Sequence, residues 1–176
     1  YAPAGSGLPL TFFKHSTILG VAKAYTTRVG TGPFPSEIKN ERIAKVIQFT
    51  GKEYGATTGR LRKVGWLDIP QLKYACEVNG VSNIALTKLD IFSKAYNDFI
   101  KIAVEYKING RWTMDYCDEP EDVRYMEFQS WPEITETNWD GLPDNLKKYV
   151  DFIEDSINVE VSMLGTGPDR NQLLYL

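Results

Sequence analysis

The sequence predicts an α/β fold, with a mixed β-sheet flanked by helices, and three observations support this class. Two apolar, β-branched runs, residues 81–86 and 159–164, each follow a segment with helical periodicity. Asn109-Gly110 separates two further β-rich runs and suits a type I′ hairpin turn. Alternating strands and helices favour parallel pairing, whereas a hairpin is antiparallel, so we expect a mixed sheet.

The first fifty residues are predicted to hold one strand and one stiff loop. Residues 1–10 are turn-rich, whereas the apolar, β-branched stretch within 17–29 predicts a buried strand. In residues 30–35 two prolines lack donors and fix φ, so we expect a loop with exposed backbone donors. Residues 43–49 are too few to assign to a helix or a strand.

A helix is predicted to begin after Asp68, which is a plausible N-cap with Pro70 in the first turn. Leu72 and Cys76 fall on one face of this helix, and Gly80 is expected to end it. Residues 81–86 then form a short strand. The loop at residues 87–90 follows at the carboxyl end of that strand.

The middle of the chain predicts a hairpin followed by an irregular segment. Residues 99–108 and 111–117 are its two strands. Residues 118–141 are acidic, rich in turn residues and poorly periodic, so we interpret them as surface. Trp131 and Trp139 are expected to pack this segment onto the core.

Pro143 is predicted to open a second helix, which Asn158 would cap. An apolar stripe at spacings of four, three and four marks its buried face: Leu146, Val150, Ile153 and Ile157. Residues 159–164 form the next strand, and a Gly-rich loop follows.

Length and composition restrict the function. The 176 residues form one domain or part of one, and the net charge of −3 argues against a general nucleic-acid surface. Cys76 and Cys117 lie far apart and suggest small buried hydrophobes in a reducing, cytoplasmic compartment. No apolar run approaches the roughly 20 residues that span a bilayer. Because Tyr1 is not Met, we expect the chain to begin mid-protein.

Residues 54–62, Tyr-Gly-Ala-Thr-Thr-Gly-Arg-Leu-Arg, have the composition of an anion-binding loop. Glycine lets a ligand approach the backbone, hydroxyls donate and accept hydrogen bonds, and a guanidinium forks onto a carboxylate or phosphate. The alternative is a solvated turn with two surface arginines, since Gly and Thr are ordinary loop residues.

Two further loops, 87–90 and 165–170, each follow a predicted strand. If both strands are parallel in one sheet, both loops lie at the same edge, where open α/β sheets bind ligands. An Asp carboxylate can accept two hydrogen bonds from guanine, and adenine offers no such pair of donors. A Lys stem can lie over the base while its ammonium stays in water.

Five motifs occur in order along the chain: residues 27–37, Thr-Arg-Val-Gly-Thr-Gly-Pro-Phe-Pro-Ser-Glu; the loop at 54–62; Gly-Trp-Leu-Asp at 65–68; Leu-Thr-Lys-Leu-Asp at 86–90; and Gly-Thr-Gly-Pro-Asp-Arg at 165–170. Together they resemble the C-terminal half of the adenylosuccinate synthetase family, from about Ile18 to Arg170. The resemblance implies a GTPase-like nucleotide-binding architecture, incomplete here. It makes residues 1–176 the C-terminal portion of one synthetase domain.

The resemblance also implies roles for individual residues. L-aspartate would bind to Thr57, Thr58, Arg60 and Arg62, and the ribose of IMP to the backbone of Val29 and Gly30. GTP would bind to Arg62, Lys88, Asp90, Gly165, Gly167 and Pro168. Arg62 would contact either the aspartate or the GTP phosphates. Thr-Lys-Leu-Asp itself resembles the Asn-Lys-x-Asp element of GTPases.

Three positions qualify this assignment. Many family members have Ser where this chain has Gly165, so a hydroxyl contact to the base would be replaced by backbone donors. Arg28 is open to a structural role. His15, the one histidine, lies in a setting unlike that of the family's catalytic histidine and is expected to be an ordinary exposed residue.

The family reaction phosphorylates the 6-oxygen of IMP with GTP, and the aspartate amine then displaces phosphate to give adenylosuccinate. A base, an acid and Mg²⁺ serve the first step, and the family supplies them from its N-terminal half. We therefore expect no catalytic residue and no metal ligand in this chain, and the resemblance implies a homodimer. Two alternatives stay open: a non-catalytic guanine-nucleotide-binding module, and a relative of viral type that acts on dGMP instead of IMP.

Overall fold

The computed structural model describes residues 16–55, 59–95, 99–136 and 138–176. The strands in this part of the chain are β1 Leu19–Lys23, β2 Tyr25–Arg28, β3 Lys63–Asp68, β4 Asn83–Thr87, β5 Phe99–Ile108, β6 Arg111–Thr113, β7 Asp122–Gln129, β8 Glu160–Gly165 and β9 Leu173–Tyr175. The α-helices are α1 Glu41–Thr50, α2 Ile69–Asn79, α3 Asp90–Ala95 and α4 Asp144–Ile157, and a 3₁₀ turn spans Arg170–Gln172.

The strands form two mixed sheets, where we expected a single mixed sheet. A four-stranded sheet has the order β1-β4-β8-β9, in which β1, β4 and β8 are parallel and β9 is antiparallel to β8. In the five-stranded sheet β2 pairs antiparallel with β3, and β5 pairs with β3, β6 and β7. The mixed α/β class is therefore confirmed.

The predicted single buried strand over residues 17–29 is wrong. The chain breaks at Ala24, so that β1 joins the four-stranded sheet and β2 joins the five-stranded sheet. The Ala24 N–H donates to the carbonyl of Thr87 at 2.8 Å, which holds the break against β4. Within the described residues β1 pairs with β4 alone, and Val21 is 75% exposed, so this strand is not buried on both faces.

Two further segments differ from expectation. Residues 43–49 belong to helix α1, which the Asn40 side chain caps by accepting hydrogen bonds from the N–H groups of Arg42 and Ile43. The supposed irregular segment 118–141 contains the eight-residue strand β7, which pairs with β5. Met126 and Glu127 are both exposed, which breaks the alternation of this strand, so its period was not evident from the sequence.

Several local predictions are confirmed. Asp68 caps α2 by accepting from the Gln71 N–H at 3.1 Å, and Gly80 ends the helix at φ 62°. Asn109 and Gly110 both have positive φ, as a type I′ turn requires. Asn158 ends α4 at φ 56°.

The core connects both sheets through α4 and a cluster of aromatic rings. Phe92 contacts four rings of this cluster edge-on or stacked: Tyr25, Trp66, Trp131 and Tyr149. The predicted stripe of α4 is buried throughout, and the Tyr149 hydroxyl donates to the carbonyl of Ala24 at 2.7 Å. As predicted, Trp131 is buried, and Trp139 is packed against the core. This core fixes the carboxyl ends of β4 and β8.

Candidate functional site

The two loops predicted to lie at one sheet edge do so. Strands β4 and β8 are parallel neighbours, and their carboxyl ends lead into residues 88–90 and 166–170. The backbone N–H of Leu89 donates to the carbonyl of Gly165 at 3.2 Å, and the Trp131 indole N–H donates to the carbonyl of Leu89 at 3.1 Å. The core thus fixes both loops against each other.

A cavity of about 480 Å³ opens between these loops. A volume of that size is typical of small-molecule sites. Five of the predicted nucleotide-binding residues line it, namely Lys88, Asp90, Gly165, Gly167 and Pro168. The turn that ends helix α1 supplies a third wall, through Thr50, Gly51 and Lys52.

Lys88 adopts the left-handed backbone conformation at φ 65°, which is uncommon for a residue with a side chain. Its ammonium donates to the carbonyl of Gly51 at 3.0 Å, so it reaches across to the third wall rather than into water as expected. The Lys88 stem is thereby held at both ends. Asp90, the first residue of α3, is 7% exposed and lines the same cavity.

Gln172 shapes the loop that carries Gly167 and Pro168. The Gln172 side-chain carbonyl accepts from the Asp169 N–H at 3.0 Å, and its main-chain carbonyl accepts from the Thr166 N–H at 2.9 Å. A Cβ on Gly167 would overlap the end of the Gln172 side chain, so a larger residue here would displace Gln172 from Asp169. The one sequence signal for Gln172 is its spacing from Asp169, which is that of a capping box.

Backbone pairing joins the two ends of the segment 54–62, of which residues 54–55 and 59–62 are described. Tyr54 and Leu61 make an antiparallel bridge, and the Gly55 N–H donates to the carbonyl of Arg60 at 2.9 Å. Thr57 and Thr58, two of the predicted aspartate-binding residues, lie outside the described residues. Arg60 is exposed, whereas Arg62 forms an ion pair with the buried carboxylate of Glu53 at 2.9 Å.

Glu53 links the loop to the cavity wall, because it follows Lys52 directly. Its carboxylate accepts hydrogen bonds from Lys23 at 2.7 Å, Tyr25 at 2.7 Å and Arg62 at 2.9 Å. Burial by itself raises the pKa of Glu53, but these three donors outweigh it and hold the pKa below its ordinary value. Sequence analysis did not single out Glu53 or Lys23, since their contact joins distant parts of the chain.

The predicted IMP loop is built around Arg28. The Arg28 guanidinium donates to the carbonyls of Pro33 at 2.6 Å and Thr31 at 3.1 Å, so it supports the loop structurally. Val29 is 73% exposed, and Gly30 has φ 83° with open space where a Cβ would stand. The backbone of both residues is thus accessible at the surface.

A family model described as adenylosuccinate synthetase matches residues 1–174. This chain belongs to the adenylosuccinate synthetase family. Its order of loops, their common sheet edge and the shared cavity agree with that membership.

Curated members of the adenylosuccinate synthetase family align with nearly all of the chain. It is 44% identical to the enzyme of Schizosaccharomyces pombe over 178 residues, which cover 97% of the chain and 40% of the relative. It is 43% identical to the enzyme of Aquifex aeolicus, with 98% and 41% covered. The chain therefore spans about two fifths of the length of the curated relatives it matches.

Solved structures agree with the family at the level of the fold. The fully ligated adenylosuccinate synthetase from Plasmodium falciparum is 36% identical, with a TM-score of 0.88 over 99% of this chain and 44% of that one. Cyanophage S-2L succinoaminodeoxyadenylate synthetase, bound to dGMP and dATP, is 18% identical over 98% of this chain and 37% of that one. Its TM-score is 0.54, so this second likeness extends to the fold alone.

The described part of the chain lacks any group of three or more His, Cys, Asp or Glu side chains able to hold a metal ion. Among the helices of the described residues, not one combines the length and apolar character of a membrane span. His15 lies outside the described residues.

Proposed function

We propose that this chain is the nucleotide- and aspartate-binding portion of a GTP-dependent ligase that joins IMP and L-aspartate to give adenylosuccinate, in AMP biosynthesis. Residues 1–176 would then form the C-terminal portion of one synthetase domain. The catalytic acid and base, and the main ligands of Mg²⁺, would come from the N-terminal portion. A cytoplasmic homodimer without nucleic-acid or membrane partners completes the proposal.

The cavity between the two strand-end loops supports the guanine-binding role. Asp90 lines it and can accept hydrogen bonds from the ring N–H and the exocyclic amine of guanine. The Lys88 stem, fixed by its bond to Gly51, offers an apolar surface to one face of the base. Pro168 lines the same cavity and would cover the other face.

The loop at residues 54–62 would bind L-aspartate through Thr57, Thr58, Arg60 and Arg62. The two carboxylates of aspartate call for preorganised donors and a cation that stays charged, which arginine provides. Gly55 and Gly59 would act as hinges and let it close over the ligand. For the second substrate, IMP, the accessible backbone of Val29 and Gly30 would contact the ribose.

The alternatives receive less support. A relative acting on dGMP would be expected to resemble the cyanophage enzyme in sequence, but the identity there is 18%, against 36% to the Plasmodium falciparum synthetase and 44% to that of Schizosaccharomyces pombe. A non-catalytic guanine-binding module would bind GDP without turnover.

A substrate assay on the intact protein tests the proposal. Adenylosuccinate should form from IMP, GTP and aspartate, and replacing IMP by dGMP should abolish turnover. Absence of product from IMP, with GDP still binding in calorimetry, would overturn the ligase and favour the module.

A base-specific variant tests the guanine site. Asp90→Asn replaces one acceptor by a donor, so GTP should bind more weakly while xanthosine triphosphate, whose 2-position carries an oxygen, should bind better. We expect the ratio of the two dissociation constants, for GTP and for xanthosine triphosphate, to change by at least about tenfold in favour of xanthosine triphosphate. Asp155→Asn, on the exposed face of α4, is the matched control and should leave the preference unchanged. An unchanged preference in Asp90→Asn would remove the guanine-binding role.

A further inference from the structure

Glu53 is a buried carboxylate with three donors and no assigned role. It is 1% exposed and accepts hydrogen bonds from Lys23, Tyr25 and Arg62 at 2.7 to 2.9 Å. A charge in such a position is expensive unless it is paired and hydrogen-bonded. Its cationic partners are each about one-third exposed, so the buried anion pairs with two partly exposed cations.

The backbone around Glu53 fits this arrangement. A Cβ on Gly51 would overlap the Tyr25 hydroxyl and lie 2.8 Å from the carbonyl of Ile47, so glycine lets Tyr25 reach the carboxylate. Lys52 then turns the chain at φ 52°, and Glu53 follows. The same turn forms the third wall of the cavity and receives Lys88.

Arg62 is fixed by this turn through backbone and side chain together. The Arg62 N–H donates to the carbonyl of Glu53 at 3.0 Å, and the Gln48 side chain donates to the carbonyl of Arg62 at 2.7 Å. One guanidinium nitrogen contacts Glu53, which leaves further donors of the planar fork available to a ligand. Because Lys23 and Arg62 share one carboxylate, the directly bonded set keeps one net positive charge.

We propose that Glu53 is a positioning residue, which holds the Arg62 and Lys23 side chains for an oxyanion of the substrates. That oxyanion is a carboxylate of aspartate or a phosphate of GTP. The inference rests on the proposed function and adds to it the group that orients Arg62 and a second cation, Lys23.

A mutant cycle in the intact protein separates positioning from a general structural role. Glu53→Gln keeps an oxygen for Tyr25 but removes the charge, and it should raise the KM of one anionic substrate about tenfold with a smaller change in kcat. In a background that carries both Arg62→Ala and Lys23→Ala, the same change should raise that KM less than about twofold, because both residues that Glu53 orients are gone. Additive effects in the two backgrounds would overturn the inference.

The two sources of the oxyanion give different results. A rise in the KM of aspartate with the KM of GTP unchanged assigns the pair to a carboxylate, and the reverse assigns it to a phosphate. Glu105→Gln removes the carboxylate of another Glu–Arg pair, with Arg124 on the distant β5–β7 face, and should change neither KM. Equal rises of both constants in Glu53→Gln and Glu105→Gln would contradict the proposal.

A second variant distinguishes a loss of positioning from a loss of folding. Glu53→Asp keeps the charge but shortens the side chain, so it should fold and show an intermediate KM; a thermal unfolding scan of each variant checks this. If Glu53→Asp has the wild-type KM and Glu53→Gln is unfolded in the thermal scan, Glu53 serves folding alone, and the inference is overturned. If the wild-type protein itself forms no adenylosuccinate, the proposed function fails and the inference fails with it. If the wild-type protein is active but the mutant cycle gives additive effects, the proposed function stands and only the inference about Glu53 fails.

Discussion

A Cβ built on Gly165 would lie 3.2 Å from the Cα of Thr87, so the strands that carry the two strand-end loops approach more closely here than a side chain comfortably allows. The neighbouring Leu89 N–H bonds to the Gly165 carbonyl, which ties the loops together at the same point. Glycine at this position thus allows β8 to approach β4 closely.

Gly165→Ala should therefore destabilise the protein by about 1–2 kcal/mol, because the crowded partner is backbone that cannot move away. Denaturant unfolding measures this difference. Gly141→Ala is the control: its Cβ would meet the Cγ of Glu136 at 3.1 Å, and that flexible side chain can move. Equal stability of Gly165→Ala and wild type would show that β4 and β8 separate easily.

The Lys88 ammonium fixes the side chain by its hydrogen bond to the carbonyl of Gly51. Lys88→Met therefore tests whether a fixed stem contributes to nucleotide affinity. The variant keeps an apolar stem but loses a hydrogen bond from a charged donor, and we expect the Kd of GDP to rise about tenfold. Calorimetry on the intact protein measures it. Lys39→Met, at a side chain that is 79% exposed, should leave the Kd unchanged. An unaltered Kd in Lys88→Met would refute the role of the Gly51 contact.

Two glycines of the loop at residues 30–35 make a matched pair for the role of Arg28. Both have positive φ, at 83° for Gly30 and 125° for Gly32, but a Cβ meets open space at Gly30 and overlaps the Arg28 guanidinium at Gly32. Gly30→Ala should lose about 1 kcal/mol for the backbone conformation alone. Gly32→Ala should lose about 2–3 kcal/mol, since it also displaces Arg28 from Thr31 and Pro33. Similar losses in denaturant unfolding would mean that Arg28 does not support the loop.

Sequence signals predicted those features whose cause is local. Asp68, Gly80 and Asn109 act on their own backbone neighbours, so a cap, a stop and a turn could be predicted without the fold. The two strand-end loops could also be placed, because parallel strands of one sheet bring their carboxyl ends to the same edge.

The features that could not be predicted from the sequence depend on contacts between distant parts of the chain. Strand β7 is defined by its pairing with β5, and the register of this pair shifts between Ala103 and Glu105 of β5. The break at Ala24 exists because β1 and β2 join different sheets. Lys23 and Glu53 stand thirty positions apart and meet only in the fold, so their role could not be deduced from spacing.

The buried Asp68 predicts a pH dependence whose sign follows from its surroundings. It is 1% exposed and accepts hydrogen bonds from the Tyr106 hydroxyl at 2.7 Å and the Gln71 N–H at 3.1 Å. Burial raises the pKa of Asp68, and these hydrogen bonds offset the effect in part. Since the folded-state pKa lies above the unfolded value, the protonated form stabilises the fold at low pH, and this stabilisation is lost as the pH rises through the folded-state pKa.

Asp68→Asn isolates this contribution, because Asn caps a helix about as well as Asp and carries no charge. The free energy of unfolding of the variant, relative to wild type, should therefore increase with pH from about pH 4 towards neutrality. Urea unfolding at a series of pH values measures both proteins, with the exposed Asp151→Asn as a surface control. A difference that falls as the pH rises would mean that the hydrogen bonds from Tyr106 and Gln71 outweigh burial, and that Asp68 is charged in the fold at lower pH than in the unfolded chain.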